Sequence, residues 1–158
     1  FLLNNEMGDF NPRAGLTTEK GLIGTKPNLV APGKRMLSSM SPTIVAKAGR
    51  PVLVLGSPGG RTIINTVLGI IINHLVHGLP IQDAVDAPRL HHQWLPDKLL
   101  VEAGALSAST RAALEKMGHL VEERSGKQGS AMAITVRRDG TLEAGCDRRR
   151  PDSAAAGY

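Results

Sequence analysis

The sequence predicts one layered α/β (α+β) domain over residues 1–158, built on a largely antiparallel sheet. Apolar segments of strand length come in pairs joined by tight turns, and segments of helical periodicity lie between them. A length of 158 residues with 41% hydrophobic side chains is enough for one core. That core must be aliphatic, because aromatic residues make up only 3% of the chain.

Phe1-Leu2-Leu3 reads as the end of a strand running into a polar loop, Asn4 to Asp9. Phe10 to Lys34 is rich in Gly, Pro, Asn and Thr without periodicity and reads as a long surface loop. Thr43 to Lys47, a turn at Gly49-Arg50, and Pro51 to Leu55 predict a hairpin. Ile64, Val67, Leu68, Ile71, Ile72, Leu75 and Val76 recur at helical spacing, so a helix is expected from Ile63 to Val76, with Gly78 as its stop. A short helix follows, with Pro80 at its start and Ile81, Ala84 and Val85 turned inward. Lys98 to Glu102 and Leu120 to Arg124 read as strands on either side of a helix from Ser109 to Met117, capped by Ser107 or Ser109 and stopped by Gly118. Ala131 to Arg138, the Asp139-Gly140 turn and Thr141 to Ala144 give the clearest hairpin signal.

Composition narrows the partners. The net charge of +5 permits nucleic-acid binding, but aromatic stacking platforms are nearly absent and the basic residues are scattered. Arg148-Arg149-Arg150 lies beside Asp147 and Asp152 and reads as a solvated near-terminal segment, so no nucleic acid is expected as a partner. Cys146 is alone, which excludes an intrachain disulfide framework and a cysteine-based zinc site. Ile63 to Val76 is interrupted by Asn65, Asn73 and His74, so no membrane span is expected. The sequence has no signal peptide, and it opens at Phe1 inside an apolar run, as a processed piece or fragment would.

The run Gly56-Ser57-Pro58-Gly59-Gly60-Arg61 joins the second predicted strand to the long apolar helix. A glycine pair there lets the backbone turn sharply and aim amide N–H groups outward, next to the positive end of the helix dipole. Such a turn holds a phosphate, a carboxylate or the oxyanion of an acyl transfer; equally, its glycines relieve strain in a tight connection. A Walker-type loop and a serine nucleophile elbow are both excluded by spacing. Ser38 and Ser39, in Leu37-Ser38-Ser39-Met40-Ser41-Pro42, are either donors to one carboxylate or a turn motif. Glu6 and Asp9 are either a pair that converges on a cation or solvated loop acids. His74, His77, His91 and His92 lack the further ligands of a metal site and are expected to pack or to bond backbone.

In this order, the pieces resemble the small subunit of gamma-glutamyltranspeptidases. The matching segments are Leu3 to Phe10, Pro32 to Thr43, Gly56 to Gly60, Ala87 to Gln93 and Ala156 to Tyr158. The resemblance implies part of an αββα N-terminal-nucleophile hydrolase sandwich, made as a self-cleaving precursor. It implies that Glu6 and Asp9 bind the substrate's α-ammonium group, that Ser38 and Ser39 bind its α-carboxylate, and that the N–H groups of Gly59 and Gly60 form the oxyanion hole. It further implies a large subunit of the same precursor as partner, supplying an arginine for the substrate carboxylate, with glutathione or another gamma-glutamyl compound as donor, an amino acid, peptide or water as acceptor, no cofactor or metal, and a periplasmic or extracellular location.

Two departures from the family stand out. Gly8 occupies a position that is usually acidic, which loosens the loop while Asp9 remains. The family's Thr-Thr-His-x-Ser start, which carries the nucleophile, should lie upstream of Phe1, since Thr17-Thr18-Glu19 does not reproduce it. The chain by itself is therefore expected to be inactive. The alternatives are a related glutaryl or cephalosporin acylase, which needs no ammonium grip, and a non-catalytic light-chain protein.

Overall fold

The computed structural model describes residues 6–157, so the strand end expected at Phe1-Leu2-Leu3 lies outside the described residues. β1 (Thr43–Lys47) and β2 (Arg50–Gly56) form the expected hairpin, and β6 (Met132–Val136) and β7 (Leu142–Cys146) form the second. Between them come β3 (Leu90–His91), β4 (Leu99–Val101) and β5 (Val121–Glu123). The two hairpins merge through β2 and β6 into one antiparallel sheet, ordered β1-β2-β6-β7. β3, β4 and β5 form a separate three-stranded sheet.

The second sheet departs from the antiparallel expectation. β4 and β5 are joined by a helix, α3 (Ala108–Lys116), and pair in parallel, because a strand that returns through a helix arrives in the same direction. Ser107 caps α3, accepting from the Thr110 N–H at 3.1 Å. β3 was not anticipated; at two residues it is too short to show a period.

The long apolar helix also differs in detail. α1 spans Ile63–Ile71, and one π-helical turn, Ile72–Val76, completes the apolar run. The His77 N–H reaches back five residues to the Ile72 carbonyl at 3.0 Å. Gly78, at φ 73°, then ends the run as expected. α2 (Ile81–Asp86) follows Pro80.

α1 and α2 pack on one face of the four-stranded sheet. Leu53 and Leu55 of β2 alternate inward with Ala131 and Ala133, and meet Ile63, Val67 and Ile70 of α1 and Ile81, Ala84 and Val85 of α2. α2 comes close to β7 because residue 145 is glycine: a Cβ there would stand 3.0 Å from the Ile81 carbonyl oxygen. The loop read between Phe10 and Lys34 carries a 3-10 turn, Lys26–Asn28, and is pinned by a bridge between Asn11 and Leu29.

Candidate active site

The glycine turn is built by the helix it precedes. The Gly59 carbonyl accepts from the Thr62 N–H at 3.2 Å and from the Thr62 hydroxyl at 2.9 Å. In a planar trans peptide the C=O and N–H point in opposite directions, so the Gly60 N–H is aimed away from α1. Gly59 takes φ 143°, and a Cβ there would lie 2.7 Å from Thr62 Oγ1, so both conformation and space call for glycine. Among the described residues, no hydrogen bond takes up the N–H of Gly59 or Gly60. These two donors suit an oxygen that gains negative charge.

The acid loop and the serine loop meet. Glu6 to Asp9 form a 3-10 turn, and Ser38 Oγ donates to Glu6 Oε1 at 2.6 Å. Ser38 Oγ also accepts from the Met40 N–H at 3.2 Å. Asn28 ties the two loops together: its Nδ2 donates to the Asp9 carbonyl at 2.6 Å, while its Oδ1 accepts from the Leu37 N–H at 2.8 Å. Asp9, Ser38 and Ser39 line a cavity of about 870 Å³, together with Arg61, Asn65, His91 and Trp94. Glu6 joins this group through Ser38. Gly59 and Gly60 do not line the cavity, though Arg61, the next residue in the chain, does.

Sequence reasoning missed Asn28, whose role depends on two loops meeting. It also missed the support around His91. The His91 ring is buried, with Nδ1 2.6 Å from Asn65 Oδ1 and Nε2 2.8 Å from Gln93 Oε1, so its partners are side-chain amides and not backbone. His74 does bond backbone, through Nδ1 to the Leu79 carbonyl at 2.8 Å. Arg61 Nη1 donates to the Gly21 carbonyl at 2.7 Å, which fastens the long loop to the start of α1.

The arginine run is the main correction. Arg149 is not solvated: its side chain is 10% exposed and pairs with Glu102 at 2.6 Å and Asp147 at 2.7 Å, while Arg89 pairs with Asp147 at 3.0 Å. Two buried acids thus face two buried guanidinium groups, which is how buried charge becomes tolerable. Burial alone would push the Asp147 carboxyl up, yet the Arg149 hydrogen bonds and the Arg89 charge hold it below the ordinary carboxylate range. Burial acts in the opposite sense on Arg149, lowering it, but its bonds to Asp147 and the charge of Glu102 raise it.

This network holds the loop behind the glycine turn. Gln128 donates its N–H to Glu102, and its carbonyl accepts from Arg89 and, at 3.2 Å, from Arg149. Arg150 donates to the carbonyls of Gly129 at 3.0 Å and Lys127 at 2.7 Å. The Ser130 N–H then donates to Ser57 Oγ at 3.2 Å, inside the turn itself. A Cβ on Gly129 would fall 2.6 Å from that oxygen, so glycine is required for the contact.

The α+β fold, an antiparallel sheet with helices packed on one face, is shared with solved N-terminal-nucleophile hydrolases of the gamma-glutamyltranspeptidase group. The family model for gamma-glutamyltranspeptidase matches residues 1–157, and the chain belongs to that family. It is 48% identical over 157 residues to the glutathione hydrolase proenzyme of Escherichia coli (strain K12), covering 99% of this chain and 27% of that protein. It superposes with a TM-score of 0.85 on a mutant gamma-glutamyltranspeptidase of Helicobacter pylori, at 42% identity, over 95% of this chain and 82% of that one. The TM-score is 0.82 against the Pseudomonas nitroreducens gamma-glutamyltranspeptidase complexed with L-DON, at 39% identity, over 100% of this chain and 81% of that one. The chain thus spans about a quarter of the length of the Escherichia coli precursor but most of each solved chain.

Proposed function

We propose that residues 1–158 form the small-subunit portion of a gamma-glutamyltranspeptidase, which cleaves the gamma-glutamyl amide of glutathione or a related compound. The acyl group passes to an amino acid, a peptide or water. A large subunit cut from the same precursor completes the enzyme, and the nucleophilic threonine comes from outside this sequence. Export to the periplasm or medium belongs to the same reading.

One observation carries it: Asp9, Ser38 and Ser39 line one cavity, and Ser38 donates to Glu6, 32 residues away in the chain. Glu6 and Asp9 take the donor's α-ammonium group. Ser38 turns its proton from Glu6 to the donor's α-carboxylate, joined there by Ser39 and by an arginine of the large subunit. Gripping both charges of the head group fixes where the γ-carbonyl lies, which lowers the entropy cost of attack. The threonine oxygen adds to that carbonyl, and Gly59 and Gly60 N–H groups stabilise the resulting oxyanion. Each such donor is worth about 3–4 kcal/mol in the transition state. The tetrahedral intermediate collapses to an acyl-enzyme with loss of the amine, and the acceptor reverses the sequence. A glutaryl acylase has no ammonium to hold, so Asp9 at this cavity, with Glu6 bonded to its Ser38, favours the transpeptidase.

The test uses the full precursor with a gamma-glutamyl anilide and its glutaryl counterpart. Asp9→Ala and the double variant Ser38→Ala/Ser39→Ala should each lower kcat/KM for the gamma-glutamyl substrate by about 10- to 100-fold, since each removes hydrogen bonds to a charged group worth about 1.5–3 kcal/mol. Asp9→Ala should leave glutaryl turnover unchanged. Unaltered gamma-glutamyl turnover in both variants would rule the head-group grip out.

A further inference from the structure

α1 and the turn after it are apolar on both sides. One side is the core described above. The other presents a stripe of Ile64, Leu68, Ile72, Leu75, Val76 and Leu79, each three or four residues from another of the set; Leu68 is 49% exposed and Val76 72%. Between Arg61 and Asp83 the sequence contains no Lys, Arg, Asp or Glu. A helix facing water normally carries charge on its outer side, whereas one that is apolar all round is buried. Beside the stripe lies a groove of about 280 Å³, lined by Leu68, Ile72 and the exposed Leu90. Stripe and groove share Leu68 and Ile72 and form a mostly apolar surface of the kind that marks an interaction site.

We propose that this stripe seats an apolar segment of the large subunit, forming an additional layer outside α1. The inference rests on the reading of the chain as the small-subunit portion of a precursor. In a four-layer αββα arrangement the helices are outermost, so stacking of the two sheets leaves the stripe bare. The E. coli relative is matched over only 27% of its length, so in a precursor of that size ample chain remains to supply the segment. Position selects the large subunit over a second copy of this chain. The stripe begins at Ile64, which lines the same cavity as Asp9 and Ser38. The large subunit must reach that cavity to supply its arginine, so it already stands at one end of the stripe.

The experiment places a photo-crosslinking benzoylphenylalanine at residue 68, and separately at residue 72, in the full precursor. After maturation and irradiation, the expected product has the summed mass of the two subunits and contains peptides from both. A product of twice the small-subunit mass, or no product, overturns the proposal. Unmodified enzyme gives a second reading through hydroxyl-radical footprinting. Leu68 should lose labelling relative to Leu120, a leucine 63% exposed and away from the stripe; equal labelling overturns the proposal as well. Subunit formation and anilide turnover are scored in the same preparation. Mature, active enzyme without crosslink or protection sinks this inference and leaves the functional reading standing, whereas absence of both maturation and turnover sinks that reading and this inference with it.

Discussion

Asp147 shows how a single residue links the end of the chain to the candidate oxyanion turn. Its carboxylate is fully buried and bonded to Arg149, Arg89 and the Ala131 N–H. Because its folded-state pKa lies below the unfolded value of about 3.9, it contributes stability that is fully present above that pH. The contribution disappears as pH falls through the lowered folded value. Asp147→Asn should therefore destabilise the protein at pH 7 by about 3–5 kcal/mol, since two guanidinium groups lose a buried partner. The gap from the parent should narrow as pH falls below about 4, because the unfolded parent's carboxylate takes up a proton there while the folded one still resists. Urea midpoints at pH 7 and pH 3 check this; a gap of constant size would show that the charge of Asp147 is not what matters.

At the scale of elements, the candidate substrate grip depends on two loops held by Asn28. Asn28→Ala would leave the Asp9 carbonyl and the Leu37 N–H without their shared partner, at a cost of about 0.5–1.5 kcal/mol per bond. Donor KM should rise while the oxyanion turn, and with it kcat, changes little; initial-rate kinetics on the full precursor separate the two. A fall confined to kcat would contradict the assignment. The same elements show what a sequence discloses. Both hairpins, α2 and the cap of α3 were legible because alternation, helical period and turn residues are local signals. Pairing of β4 with β5 was not, since nothing within either strand says which neighbour it will meet. Arg149 read as solvated because its partners, Glu102 and Asp147, are brought to it by the fold, and Glu102 lies 47 residues away. The candidate site became legible only when several loop motifs were taken together in order, because each one alone also fits a turn or a solvated loop.

At the scale of the whole molecule, the bare sheet face tests whether this chain packs against a second sheet in a larger assembly. Ile44, Val54, Ile134 and Ala144 stand in direct register across β1, β2, β6 and β7, forming one apolar row on the side away from the helices. Ile44, Val54 and Ile134 are all exposed in this chain. If the face stayed in water, Val54→Lys and Ile134→Lys would each change stability by no more than about 0.5 kcal/mol, as surface substitutions do. If a second sheet stacks there, as in an αββα sandwich, each lysine would bury an unpaired charge at a cost of several kcal/mol. That penalty falls on assembly, because the β2–β6 ladder and the core beneath it are untouched. The double variant of the full precursor should accordingly accumulate uncut or insoluble, while Lys47→Glu, at the end of β1, should mature normally. The fraction cut, read from a denaturing gel, decides the matter: normal maturation of the double variant would mean that no second sheet covers this face.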